Sequence, residues 1–258
     1  MKHKLLYLSI LSLLVFLLGL AASLTLNTFI LWANLEGQSF WGYPEALTFD
    51  SSLTTAARLS SLRCPVILTS GEAGTVDVKV RNPNDYPIEA WVSAHISKPG
   101  EDENMVRDLQ GVPLSQGESA HLRWAVTRDN VIRNRMIIAR VFLRLTERHP
   151  PARTKHCGIL LVDLGGLSGR SITLLALVGG HVLQAGGILL WQHTRQTLGK
   201  KTHMTRNVLI TVTALSLVMT FGSFTHSWVF SMLALLLGLL IVFTTVGYRL
   251  GISNNSAN

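Results

Sequence analysis

The chain has 258 residues, two cysteines and a formal net charge of +8, which leaves room for one soluble domain of ordinary size plus a few membrane spans. The excess charge does not mark a nucleic-acid binder. All 15 acidic residues lie between Glu36 and Asp163, and residues 36–170 hold 16 Lys and Arg, so that stretch is only +1. The other seven basic residues (Lys2, Lys4, Arg195, Lys200, Lys201, Arg206 and Arg249) flank apolar runs, so the basic balance reports membrane topology and excludes nucleic acid as a partner.

Residues 1–4, Met-Lys-His-Lys, form a short basic start that we assign to the cytoplasm. Residues 5–33 are apolar and predict the first transmembrane helix. The segment opens as a secretory signal does, with the small residues Ala21, Ala22 and Ser23, yet stays apolar through Ala33, so it reads as an uncleaved signal anchor. Residues 34–63 read as an aromatic-rich linker. Trp32, Phe40, Trp41 and Tyr43 cluster just past the span, as an interfacial belt or as packing under a folded domain, and residues 50–63 suggest one helical turn.

From Cys64 the hydrophobic period becomes two, the mark of half-buried strands. Cys64–Thr69 is a short strand. Val76, Val78 and Val80 alternate with Asp77, Lys79 and Arg81, and Asn82-Pro-Asn-Asp-Tyr-Pro87 ends that strand with strong turn residues. Ile88 to Ile96 alternate next, a weaker strand lies near Met105–Leu109, and Leu114-Ser-Gln-Gly-Glu-Ser119 is another turn. Ala120 to Val126 alternate again, Ile137 to Leu145 form the longest predicted strand, and Cys157–Asp163 closes the series.

Such short strands at even spacing over residues 64–163, without a helix between them, predict an antiparallel β-sandwich of immunoglobulin-like type. The order of a strand, the "NPNDYP" turn, and a later "LSQGES" turn resembles the Ig-like modules of prokaryotic cell-surface proteins. The whole chain resembles bacterial multi-span membrane proteins. The resemblance implies a fold and carries no activity. The antibody pattern of Cys, Trp and Cys is not matched, since these cysteines fall on the first and last predicted strands.

After the hinge at residues 164–169, residues 171–191 hold no formal charge and predict the second transmembrane helix. The loop 192–206 has four Lys or Arg and no acid; 207–224 and 229–248 are the third and fourth helices, and 249–258 is a polar tail. The positive-inside rule places both termini and the 192–206 loop in the cytoplasm and the sandwich outside. The fold class is therefore mixed: an extracytoplasmic all-β sandwich on a helical bundle of four spans. The extracytoplasmic stretch contains no Asn-x-Ser/Thr sequon, which favours a prokaryotic plasma membrane.

An outside location allows a Cys64–Cys157 disulfide, read as a structural staple. His181 and Gln184 lie one turn apart on one face of the second span. No other span holds a histidine, so the reading is a neutral His bonded across a helix interface to Ser216 or Thr213, and not a haem ligand. Thr25, Asn27 and Thr28 are the other intramembrane polar group of note. Ala176, Gly180 and Gln184, with Gly179 and Gly187, offer small residues at helix-packing spacing and mark residues 171–191 as the packing hub.

In the sandwich, Arg140 and Arg144 flank Phe142 on one outward strand face, and Trp91 points outward beside Ser93 and His95. These form the candidate interaction surface. Residues 123–155 carry +7 and residues 72–118 carry −5, a contrast that internal pairing of the two halves explains. GxSxG, P-loop and HExxH patterns are absent, so the expected protein is not an enzyme, with no catalytic, metal-binding or cofactor residues. Its expected partners are the lipid bilayer and a membrane or envelope protein, engaged through the sandwich. The alternative is an accessory subunit of a transporter or membrane enzyme acting through the bundle around His181.

Overall fold

A computed structural model describes residues 2–40, 57–100, 105–133, 135–144, 153–197, 203–225 and 228–255. It is a mixed structure that divides into two compact units, one of residues 32–172 and the other of residues 1–31 with 173–258. The helix α1 (Lys2–Phe40) contributes to both.

Among its described residues, the unit of residues 32–172 holds eight strands: β1 (Arg58–Arg63), β2 (Ile67–Leu68), β3 (Gly74–Arg81), β4 (Ile88–Ser97), β5 (Met105–Leu114), β6 (Ser119–Val126), β7 (Met136–Arg144) and β8 (Arg153–Leu161). They make a three-stranded sheet in the order β1-β3-β6 and a five-stranded sheet in the order β2-β8-β7-β4-β5. Every pairing is antiparallel except β2 with β8. Val76, Val78, Val80 and Val126 from one sheet meet Val92, Ile137, Val141 and Ile159 from the other in one core, each of them fully shielded from solvent. Burying a side chain of this size contributes about 1.5–3 kcal/mol, so this shared face is the main source of stability.

A disulfide and a side-chain hydrogen bond are among the links that cross between the sheets. Cys64, just after β1, is joined to Cys157 in β8 with Cα atoms 6.6 Å apart. Trp124 Nε1 in β6 donates to Asp108 Oδ2 in β5 at 2.6 Å.

The two turns that carry the family resemblance are held together by one residue. Asn82 is fully buried, and its Nδ2 donates to the carbonyls of Tyr86, Leu114 and Ser115 at 2.8, 3.2 and 3.0 Å. Its Oδ1 accepts from Asn84 N at 2.9 Å, forming the turn after β3. In the facing turn Gly117 takes φ +67°, open to glycine, and Glu118 Oε2 accepts from Ser115 N at 2.7 Å.

The predicted linker 34–63 does not hold where it is described. α1 continues to Phe40, and Arg58–Arg63 is β1. In β1 the core residues Leu59 and Leu62 are three apart because a bulge shifts the register between Leu59 and Ser61. That spacing imitates a helical turn and hides a strand. At 34–40 a polar, glycine-containing sequence is kept helical by the sheet beside it. Asn34 Oδ1 accepts from Gly158 N at 3.4 Å, Glu36 pairs with Arg133, and Arg135 lies 4.7 Å over the Trp32 ring. Trp41 and Tyr43 lie outside the described residues. Among the described residues the longest strands are β4 and β5, at ten residues each, with nine described in β7.

In the other unit, the first part of α1 packs with α3 (Gly180–Thr197), α4 (His203–Phe224) and α5 (Trp228–Asn255). Among the described residues, three helices are long and apolar enough to cross a membrane, spanning His3–Gly37, Gly169–Gln196 and Met204–Phe224, and a shorter apolar helix covers Val229–Thr245. The second span is not one regular helix. α2 (Gly169–Leu174) passes through a π-helical turn at Leu175–Gly179 before α3 begins. Gly180 meets Gly19 of α1, and at Gly187 a Cβ would come within 2.8 Å of Phe16 and the Ser12 carbonyl, so glycine alone allows this approach. Gly180 and Gly187 therefore make the seam; nothing lies within 4 Å of a Cβ at Gly179.

Candidate functional site

Polar residues gather in three places. The first is the face of the five-stranded sheet that points away from the core. Strand register puts Arg107, His95, Arg140 and His156 in one row across β5, β4, β7 and β8. In the next row Phe142 lies between the guanidinium groups of Arg140 and Arg144, at 5.0 and 5.1 Å from its ring centre. The His95 ring meets Phe142 edge-on at 4.8 Å, and Arg140 Nη2 donates to His95 Nδ1 at 3.1 Å. A ring that accepts at Nδ1 is neutral. Burial, then the charges of Arg140, Arg107 and Arg144, lower the His95 pKa from 6.5 to about 4. Burial and Arg144 likewise lower that of Arg140.

This corrects the surface expected from the sequence. Phe142 does lie on the non-core face, but it is only 1% exposed, with His95 at 7% and His156 at 6%. Arg140 and Arg144 are half-buried. Trp91 is half-buried too, and its ring lies against Gly111 of β5, where a Cβ would come within 3.3 Å of it. These four residues form a packed cation–aromatic layer, in which Phe142 offers no open contact surface.

The second place is the outer face of the three-stranded sheet, which the sequence reading missed. Register sets Arg58 opposite Arg81, Lys79 opposite His121, and Arg63 opposite Asp77, which in turn faces Arg123. Arg58, Arg63, Arg81, Arg123 and His121 are exposed and Lys79 half-exposed. The acid is Asp77, which accepts from Arg123 Nε at 2.8 Å and lies 3.2 Å from His121 Nδ1. Arg123, with a smaller effect of His121, holds the Asp77 pKa below its ordinary value. A shallow depression lined by Arg63, Thr75, Asp77, His121 and Arg123 lies over the end of this grid. The alternation at Asp77–Arg81 and His121–Arg123 was visible in the sequence. What it lacked was the register, and the strand that adds Arg58 and Arg63.

The expected pairing of an acidic half with a basic half is limited. Among the described residues, Asp77–Arg123 is the ion pair that joins residues 72–118 to residues 123–155, and Arg133 pairs instead with Glu36 of α1.

The third place is in the helical unit. His181 Nε2 lies 3.2 Å from Thr220 Oγ1, so the partner is Thr220 and not Ser216 or Thr213. Asn27 Nδ2 of α1 donates to the same Thr220 oxygen at 2.8 Å. Gln184 Nε2 donates to Ser23 Oγ at 2.7 Å and to the Gly19 carbonyl at 3.3 Å, and Ser23 Oγ lies 3.2 Å from Ser216 Oγ. Asn27, noted from sequence as a separate group, thus joins His181 and Gln184, and one polar cluster draws on α1, α3 and α4. Among the described residues, no group of three or more His, Cys, Asp or Glu is placed to hold a metal ion.

No family model and no curated protein matches the chain. Solved structures match about two fifths of it. The CARDB domain of a Pyrococcus furiosus protein, determined in complex with di-metal ions, is 13% identical with a TM-score of 0.32, over 43% of this chain and 97% of that domain. A β-glucosidase from Listeria innocua is 17% identical with a TM-score of 0.30, over 42% of this chain and 16% of the enzyme. The alkylpurine DNA glycosylase AlkC of Pseudomonas fluorescens is 13% identical with a TM-score of 0.30, over 42% of this chain and 32% of that enzyme. Likenesses at this level carry no argument about activity or ligand, and the chain spans only a small part of the two enzymes.

Proposed function

We propose that this is a non-enzymatic multi-pass membrane protein that presents its two-sheet domain, read as an Ig-like sandwich, outside the cytoplasm as an assembly module for an envelope complex. In this reading four helices span the plasma membrane of a prokaryote and both termini are cytoplasmic. The supporting observation is the cationic face of the three-stranded sheet. Arg58 directly opposite Arg81 costs stability, because like charges facing one another across strands repel. A face that keeps this repulsion, with one acid among five Lys or Arg, suits a partner with an acidic surface.

The test is affinity purification of the full chain from mild detergent, comparing the natural protein with a variant carrying Arg63→Glu, Lys79→Glu and Arg123→Glu. The co-purifying envelope component should be lost in the variant while its thermal unfolding stays within a few degrees of the parent. For the natural protein the association should weaken with added salt, since these charges are exposed and screened. Retention of the same component by the variant would remove this reading.

The polar cluster favours a second reading, in which the bundle around His181 is the working part of an accessory subunit. His181→Leu separates the two. It should abolish function with domain-mediated association intact if the bundle is the working part, and leave both unchanged if the surface is.

A further inference from the structure

The outer face of the three-stranded sheet is arranged in cross-strand rows. One row runs Arg63, Asp77, Arg123 across β1, β3 and β6, the next joins Lys79 to His121, and the last sets Arg58 beside Arg81. Successive rows are two residues apart along β3, about 6.8 Å at the rise of an antiparallel strand. Side chains on one face of any other extended chain have the same spacing.

The first row holds one arginine in place and leaves its working end open. Arg123 Nε donates to Asp77 Oδ2 at 2.8 Å, while His121 Nδ1 lies 3.2 Å from Asp77 Oδ1. Among the described residues this is the hydrogen bond that the Arg123 guanidinium makes, so both terminal amino groups keep their hydrogens for another acceptor. The Arg123 side chain is 72% exposed and that of Asp77 only 19%, so the carboxylate is a strut low on the sheet and the guanidinium stands above it. Arg63 is in register with the same acid, yet among the described residues it makes no ion pair. Arg63, Asp77 and Arg123 line one open depression of about 350 Å³ together with Thr75 and His121.

We infer that this face receives an extended acidic segment of a partner protein, lying along β3 with a carboxylate from every second residue over each row. Arg123 is the anchor. Its two terminal amino groups take a carboxylate side by side in the depression, while Asp77 positions the guanidinium plane through Nε. The assignment rests on the cationic-surface reading and adds the partner's chemistry and the residue that specifies it.

Charge and shape both favour a carboxylate. Two cations and one acid leave the row a single positive charge, which one carboxylate balances. The second charge of a phosphomonoester would instead face Asp77. A bidentate pair needs the planar fork of arginine, which lysine lacks. In the other two rows, Arg58, Lys79 and Arg81 make no ion pair among the described residues and act as point charges, so Arg and Lys are interchangeable there. A lipid headgroup could meet the same guanidinium, but nothing in a lipid surface repeats at the spacing of the rows.

The test uses the purified full chain in nanodiscs of zwitterionic lipid and a fluorescein-labelled peptide that alternates Glu with Ser. Fluorescence anisotropy at fixed ionic strength reads the affinity. The natural chain should bind the peptide saturably. Arg123→Lys keeps the charge and loses both Nε and the fork, so it should bind about tenfold more weakly with its Tm unchanged. Arg81→Lys should stay within about twofold of the natural chain. A peptide of the same composition with its Glu residues adjacent should bind more weakly than the alternating one. The inference is overturned by no binding to the natural chain, by equal affinities of Arg123→Lys and Arg81→Lys, or by equal binding of the two peptides. Displacement of the label by short-chain phosphatidylglycerol at lower concentration than by unlabelled peptide would also overturn it and assign the face to lipid. If the envelope component is still lost from the triple charge-reversal variant, any of these results removes the anchored segment and leaves the surface reading standing.

Discussion

Asn82 concentrates several bonds in one side chain. It ties the turn before β4 to the turn after β5, at the open end of that hairpin, and has no solvent contact. Asn82→Leu leaves three carbonyls without that donor and should destabilise the domain by about 2–4 kcal/mol, read from chemical unfolding followed by tryptophan fluorescence. His95 supplies a pH dependence with a definite sign. Its folded pKa of about 4 lies below the ordinary 6.5, so the folded state resists the proton that the unfolded state takes up. Stability from this group is intact above pH 6.5 and falls as pH drops towards 4, by about 3 kcal/mol at the limit. His95→Gln should flatten the loss between those pH values. An unchanged slope in the variant would assign it to other groups. Glu72 and Asp77 add a loss at lower pH. Both have depressed carboxyl pKa values, Glu72 chiefly through the Gly169 and Thr69 amides and Asp77 chiefly through Arg123.

Among the elements, α1 and β1 depart furthest from the sequence reading, and both for tertiary reasons. Strands β3 and β6 were legible because each buries alternate residues on one side. Strands β4 and β7 were legible because alternate apolar residues enter the core, although most of their other face is buried too. β1 was not, because its bulge breaks the period, and residues 34–40 were not, because their helix depends on contact with β8. In the bundle, the polar residues were individually visible. Their convergence was not, since pairing Asn27 with Thr220 depends on how α1 packs against α3 and α4. The α1–β8 contact can be tested directly. At Gly158 a Cβ would overlap the Ala33 backbone, whereas at Gly71 it would meet nothing within 4 Å. Gly158→Val should therefore lower Tm by several degrees, and Gly71→Ala should leave it within a degree or two. A neutral Gly158→Val would mean that α1 does not need this close approach.

For the whole molecule, the Cys64–Cys157 link closes a separation of 93 residues and ties the edge of one sheet to the second strand of the other. The loop-entropy argument values such a link at a little over ~4 kcal/mol as an upper figure. Reduction, or the pair Cys64→Ala with Cys157→Ala, should lower the unfolding transition of the sheet domain by up to that amount. The helical unit, which contains neither cysteine, should keep its helical circular dichroism under the same treatment.

The pairing of β8 also sets an order in time. This last strand lies between β2 and β7, carries Cys157, and presents Gly158 to α1. Until residues 153–161 have left the ribosome, β2 has no strand neighbour, β7 has an open edge, and Cys64 has no sulfur to meet. Contacts so distant along the chain are slow to form, and an unpaired hydrophobic strand edge invites pairing with the wrong neighbour. The nascent domain therefore stays incomplete until just before the second hydrophobic span is made. Its closing step and the delivery of that span to the membrane fall within the same few seconds of synthesis.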